Sequence, residues 1–332
     1  YRQEIQVEDI YIECARAVVQ NQDLTELSQR FQEDLIELML NQKTNKTYFY
    51  NFFIFNVLYF LKLSERKFDE LLDITEDAIQ FFNSKTDFSP IALFDQKFKK
   101  GYALLNLGRI NEAMRVYEEC KAMGPNPANI AWFNIHSYIY FSAVIQRKYD
   151  YALNIFSEVV NNRHFAELNK SFKEPWLIKE AYLNFLIKMK KVDASAYDLH
   201  SFKIGKFLNE VPLYSKDKRG YNIAIIIIQL LFFLLDRKFS KFIDRMDALN
   251  QYSYRYLRNN DTLRSNCFIK MMLKIPDTNY HPIAVQRHTK NLYKTLTSTK
   301  PDIREHSSNI EIIPYETLWE LVLELLEKQK GG

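Results

Sequence analysis

The stretch from Phe94 to Pro127 limits the fold of this chain more than any other, because its residue types suit two helices packed back to back. Gly101 and Ala113 are small where the two backbones must come close, and Leu104 is large between them. Gly108 allows the positive φ of a helix C-terminal cap, and Asn111 suits the start of the next helix. Tyr117 is placed to pack back across the pair, and Pro125 to end the second helix. A lone hairpin of this kind leaves apolar surface bare. It must stack on neighbours, which predicts an array.

The rest of the chain carries the same rhythm. Apolar side chains recur at three- and four-residue steps at positions 68, 71, 72, 74, 78, 81 and 82. They do so again at 149, 152, 156 and 159, at 192, 196, 199 and 202, and at 239, 242, 246 and 249. Five short polar turns punctuate the pattern: Glu65–Lys67, Gly108–Arg109, Arg147–Lys148, Lys190–Lys191 and Arg237–Lys238. Only 7 Gly and 9 Pro in 332 residues fit long helices with short connections. Ile5–Gln22 and Asp23–Gln42 read as a leading helical pair. Asp261–Lys274 and Tyr280–Leu296 read as helices parted by Ile275–Asp277, and Thr297–Pro314 as a linker. Tyr315–Lys328 is amphipathic, with Leu318, Leu321, Val322, Leu325 and Leu326 on one side and Glu316, Glu320, Glu324 and Glu327 on another. Such a helix either folds back as a cap or docks onto another chain. The cap is favoured, because an open-ended array needs a cover. The apolar runs Tyr48–Leu63 and Ile223–Leu235 fall short of the ~20 residues that span a bilayer, so no membrane insertion is expected.

This pattern resembles the tetratricopeptide repeat family, closely over Phe94–Pro127 and more weakly over a second copy, Ala128–Val160. Aligned on Ala113, the units place Leu71, Ala152, Ser195 and Phe242 at the same position, in steps of 42, 39, 43 and 47 residues. Those steps exceed the family period of about 34, so the connections here must be longer. The resemblance implies an all-α fold, a TPR-like α-solenoid in which stacked hairpins form a right-handed superhelix over residues 1–300. Residues 301–332 then supply a linker and a C-terminal amphipathic helix. It further implies a non-catalytic scaffold or adaptor that binds a protein or peptide partner along the concave face. The family's groove positions fall on Asp95, Phe98, Lys99, Tyr102 and Asn106, and in the next unit on Asn134, Ser137, Tyr138 and Phe141. Phe98 and Tyr102 stand at two places where some family members clamp a peptide C-terminal carboxylate, so that specificity is not implied. The same aromatics would equally fill the space between adjacent hairpins.

Charge is unevenly spread. Residues 1–150 carry 17 basic and 21 acidic side chains, residues 151–300 carry 25 and 13, and the last 32 carry 3 and 7. The basic later segment could attract nucleic acid, with Arg255, Arg258 and Arg264 in the tyrosine-rich stretch Tyr252–Arg264 as a basic surface. A solvated lysine-rich exterior is the plainer alternative. No phosphate-binding, dinucleotide-binding or hydrolase motif occurs, and no His or Cys stands three or four residues from another. No catalytic group, metal or cofactor is therefore expected. Three scattered cysteines without a CxxC pair suit buried thiols in the cytoplasm. The chain begins at Tyr1 without Met. That leaves room for a second functional class, a ligand- or peptide-sensing regulatory module of a larger bacterial signalling, transcription or defence system.

Overall fold

The computed structural model describes the chain apart from residues 1, 21, 23, 43, 46, 85–88, 196–202, 211–220, 257–262, 300, 302–310 and 331–332. Its described elements are helical throughout, and they fall into two compact units, Tyr1–Tyr138 and Ile139–Gly332. The first contains α1 (Arg2–Val19), α2 (Thr25–Arg30), α3 (Gln32–Gln42), α4 (Tyr48–Ser64), α5 (Phe68–Asn83), α6 (Pro90–Asn106), α7 (Ile110–Ala122) and the start of α8 (Ile130–Ile145). The second takes the rest of α8, then α9 (Tyr149–Val160), α10 (Lys170–Lys188), α11 (Ile204–Glu210), α12 (Tyr221–Leu235), α13 (Phe239–Tyr256), α14 (Leu263–Asp277), α15 (Pro282–Ser298) and α16 (Tyr315–Lys330). The second half of the expected leading pair is thus two short helices, α2 and α3, rather than one.

In the first unit α4 packs on α1 and α5, and α6 packs on α5 and α7, so α4 to α7 each lean on a chain neighbour while α1 reaches past α2 and α3 to α4. The expected five turns all adopt one shape. Arg66, Gly108, Arg147, Lys190 and Arg237 have φ of 57°, 76°, 58°, 60° and 55°. At each, the positive-φ residue donates its N–H to the carbonyl three back, and the next residue donates to the carbonyl five back, as in Lys67 to Lys62 and Lys148 to Ala143. This is the Schellman closure of a helix end. Cations suit it, because the carboxyl end of a helix attracts positive charge.

Ala113 and Ala152 are fully buried in their helices, and so are Leu71 and Phe242. Ser195 departs from that alignment: residues 191–195 are not helical and Ser195 is exposed. The cause is Asp193, whose carboxylate accepts from Ser195 N while its own N–H donates to Asp150, so a local turn replaces a helix start. The remaining positions expected there, 196–202, lie outside the described residues, as does most of the expected linker. Asn111 does not cap α7. That helix starts after Arg109, which forms a two-pronged pair with Glu112 instead. Gly124, at φ 70°, rather than Pro125, makes the turn that closes α7. Ile275–Asp277 is not a separator either, since α14 runs to Asp277 with Pro276 in its last turn, and Pro282 opens α15. Pro276 loses only one amide bond near a helix end, where the chain is about to turn.

In the second unit α10 packs on α9 and α12, and α12, α13, α14 and α15 follow one another. α12 is buried on nearly every side, which accounts for its unbroken apolar run. α16 folds back within this unit against α12, α14 and α15. It buries Leu318, Trp319, Leu321, Val322, Leu325 and Leu326. It also runs along three of the turns: Arg147 donates to Glu320 at 2.6 Å, Lys191 to Glu324 at 2.8 Å, and Arg237 to the Gln329 carbonyl at 3.2 Å. The helix is therefore a side clasp on the stack as much as a cover for its last hairpin.

Candidate functional site

The expected groove positions in the first unit cluster on one wall formed by α6, the start of α8 and the adjoining face of α4. Asp95, Phe98, Lys99, Tyr102, Asn106, Asn134, Ser137 and Tyr138 are all half-buried. Their helices hold them by ring packing. Tyr138 meets Phe98 edge to face at 5.5 Å and Tyr102 at 6.3 Å, and lies parallel to the fully buried Tyr117 at 5.0 Å. Tyr102 also meets Phe68 at 6.4 Å. These rings thus pack adjacent hairpins together while keeping part of their surface free. Each such pair contributes about 0.5–1.5 kcal/mol beyond area burial.

Beside the rings sits a polar group. Lys99 pairs with Asp95 at 2.6 Å one helical turn earlier and donates to Asn56 of α4. Its ammonium stands 5.1 Å from the Tyr59 ring and 5.6 Å from Phe60. Burial pulls the Lys99 ammonium below its ordinary range, and Asp95 restores only part of the loss. Gln96, fully buried, donates to Asp95 at 3.1 Å, while its own carbonyl oxygen has no hydrogen-bond partner among the described residues. Tyr11 of α1 is pushed up by burial and by the nearby Asp95 charge. Asn106 turns back and donates to the Tyr102 carbonyl at 3.0 Å.

Asn56, Tyr59, Phe60 and Tyr11 were not among the sequence-derived positions. Asn56 alone left a trace, as a polar interruption in an otherwise apolar helix. Phe141 lies one turn beyond Tyr138 on α8 and is buried in the second unit.

The basic surface expected at Arg255, Arg258 and Arg264 is corrected at the one residue whose side chain is described. Arg264 is 7% exposed, and its guanidinium pairs with Glu311 at 2.5 Å and with Glu316. It also donates to the carbonyls of Leu296 at 2.9 Å and Thr299 at 2.7 Å. Burial opposes its charge, but Glu311 and Glu316 more than offset that and raise its proton affinity. Arg264 is an internal strut rather than a surface cation. The Arg255 side chain and Arg258 lie outside the described residues.

Among the described residues no three His, Cys, Asp or Glu side chains come close enough to hold a metal ion, and no helix is long and apolar enough to cross a membrane. Cys14, Cys120 and Cys267 are free and buried. Compared with protein-family models, curated proteins and solved structures, the chain matches none of them.

Proposed function

We propose that the chain is a non-catalytic binding scaffold of tetratricopeptide-like type, a right-handed solenoid that grips a protein or peptide along the wall formed by α4, α6 and α8. One observation carries this: Phe98, Tyr102 and Tyr138 are half-buried, held rigid by ring packing, and stand beside the Lys99–Asp95–Asn56 polar group. Rigid aromatics bind apolar anchors at little cost in side-chain entropy, and one desolvated polar group orients a backbone carbonyl or amide. An extended or helical peptide with two apolar anchors suits such a wall. Three free, buried cysteines favour the cytoplasm as its place of work.

The test is selection of peptides from a displayed random library against the full chain, followed by titration of the selected sequences. Tyr102→Ala is expected to weaken a selected peptide at least tenfold while circular dichroism and thermal melting remain those of a folded helical protein. Recovery of no peptide, or recovery of peptides indifferent to Tyr102→Ala and Phe98→Ala alike, overturns the assignment.

A further inference from the structure

We infer that the outward face of α15 is a second binding surface, one that takes the phosphate backbone of a nucleic acid. No Asp or Glu occurs from residue 278 to residue 301. Arg287, Lys290 and Lys294 are exposed at a spacing of three and four residues, which puts them on one side of the helix along about 10 Å of its axis. Exposed His288, Asn291 and Thr295 stand among them.

Several cations elsewhere in the chain are paired with carboxylates. Arg109 pairs with Glu112, Arg147 with Glu320, Lys191 with Glu324 and Lys238 with Asp236. Among the described residues, Arg287, Lys290 and Lys294 have no such partner. Lys270 of α14 is exposed and likewise unpaired among the described residues. Arg264 donates to the carbonyls of both Leu296 and Thr299, so the start of α14 lies beside the end of α15.

The chemistry of the face separates the kinds of anion it suits. The apolar side of α15, with Val285, Thr289 and Leu296, is buried, so no face is left to insert into a lipid surface. An acidic protein partner would ordinarily meet an apolar or aromatic anchor among the charges. Here the one exposed large apolar side chain is Ile283, at the start of the helix. A polyphosphate backbone needs no anchor, only spaced cations with hydrogen-bonding side chains between them. With no exposed Phe, Tyr or Trp on α15 to stack on bases, the contact is to phosphates and is independent of sequence.

The experiment is fluorescence anisotropy of the full chain with a labelled random-sequence duplex and a single strand of about 20 nucleotides, between 50 and 200 mM salt. Neutralising about three phosphates gives a log–log salt slope near −3 for the duplex and near −2 for the single strand. The triple change Arg287→Gln, Lys290→Gln and Lys294→Gln is expected to lose at least tenfold in affinity at 50 mM salt and to flatten the slope by about that amount. All three side chains are exposed, so circular dichroism should not change. Absence of binding at 50 mM salt overturns the inference, as does a triple variant that binds like the parent. Equal or tighter binding to polyglutamate or to phosphatidylserine vesicles overturns it too, since the face would then prefer another class of anion.

Discussion

A β-carbon added at Gly101 would lie 2.6, 2.8 and 2.9 Å from ring atoms of Tyr117, closer than any real contact of that kind. Sequence reading gave Gly101 the role of letting two backbones approach. The structure gives a more specific cause, a fully buried ring lying on the glycine. Tyr117 cannot withdraw, because Phe98 and Tyr138 hold its ring on other sides. Replacing Gly with Ala inside a helix gains about 1 kcal/mol of propensity. Overpacking a held ring costs about 1–3 kcal/mol. Gly101→Ala should therefore leave a net loss on chemical denaturation, whereas the same change in a Tyr117→Leu background should be neutral or stabilising. A stabilised Gly101→Ala single variant would show that the ring yields. The residue most misread was Arg264, since its neutralising carboxylates, Glu311 and Glu316, lie 47 and 52 positions away and no local pattern reveals them.

At the scale of elements, the five turns were legible because each is a short polar stretch with at least one cation between two apolar helices, and a Schellman closure needs only local residues. What local sequence hid was which turns α16 would cover, and that Asp193 would divert the chain after α10. The turns also carry a cost. A side chain at positive φ is disfavoured by roughly 1–2 kcal/mol relative to glycine. Four of the five positions nevertheless hold Arg or Lys. For Arg147 the pair with Glu320, at 2.6 Å between half-exposed side chains, offsets part of that cost. Lys190 is exposed and has no hydrogen bond or ion pair through its side chain among the described residues. Lys190→Gly is accordingly expected to stabilise the chain by about 0.5–1 kcal/mol in urea denaturation, and Arg147→Gly by less. An equal gain at both positions would mean that the clasp of α16 on the Arg147 turn contributes nothing.

Across the whole molecule, the buried ionisable groups work against one another as pH changes. The groove lysine and a second buried lysine in the other unit illustrate why the site was only half readable. The resemblance put Lys99 among the expected groove positions, but gave no sign of its burial against Asn56 and Tyr59, which a helix about 40 residues earlier supplies. Lys179, 3% exposed, has its ammonium 4.3 Å from the Trp176 ring, which favours the charge, yet burial prevails and lowers it to about 7. Lys99 shifts in the same direction. Between pH 7 and the ordinary lysine range near 10.4, the unfolded chain holds protons that the folded one has released, so stability rises with pH. Burial acts oppositely on the thiols, raising Cys14 to about 11 and Cys120 to about 12, with Cys267 raised as well. Above about pH 8.5 the unfolded thiols ionise while the folded ones do not, so their contribution falls with pH. The two trends predict a stability maximum near pH 8–9 in urea denaturation followed by circular dichroism. Lys179 alone accounts for a rise of roughly 2 kcal/mol from pH 7 to 8.5, at about 1.4 kcal/mol per pH unit. Lys179→Met should abolish that rise and raise stability at pH 7, leaving the fall above pH 8.5 intact. A Lys179→Met variant that keeps the parent's profile between pH 7 and 8.5 would mean that Lys179 keeps its proton inside the fold, with the Trp176 ring compensating the lost water.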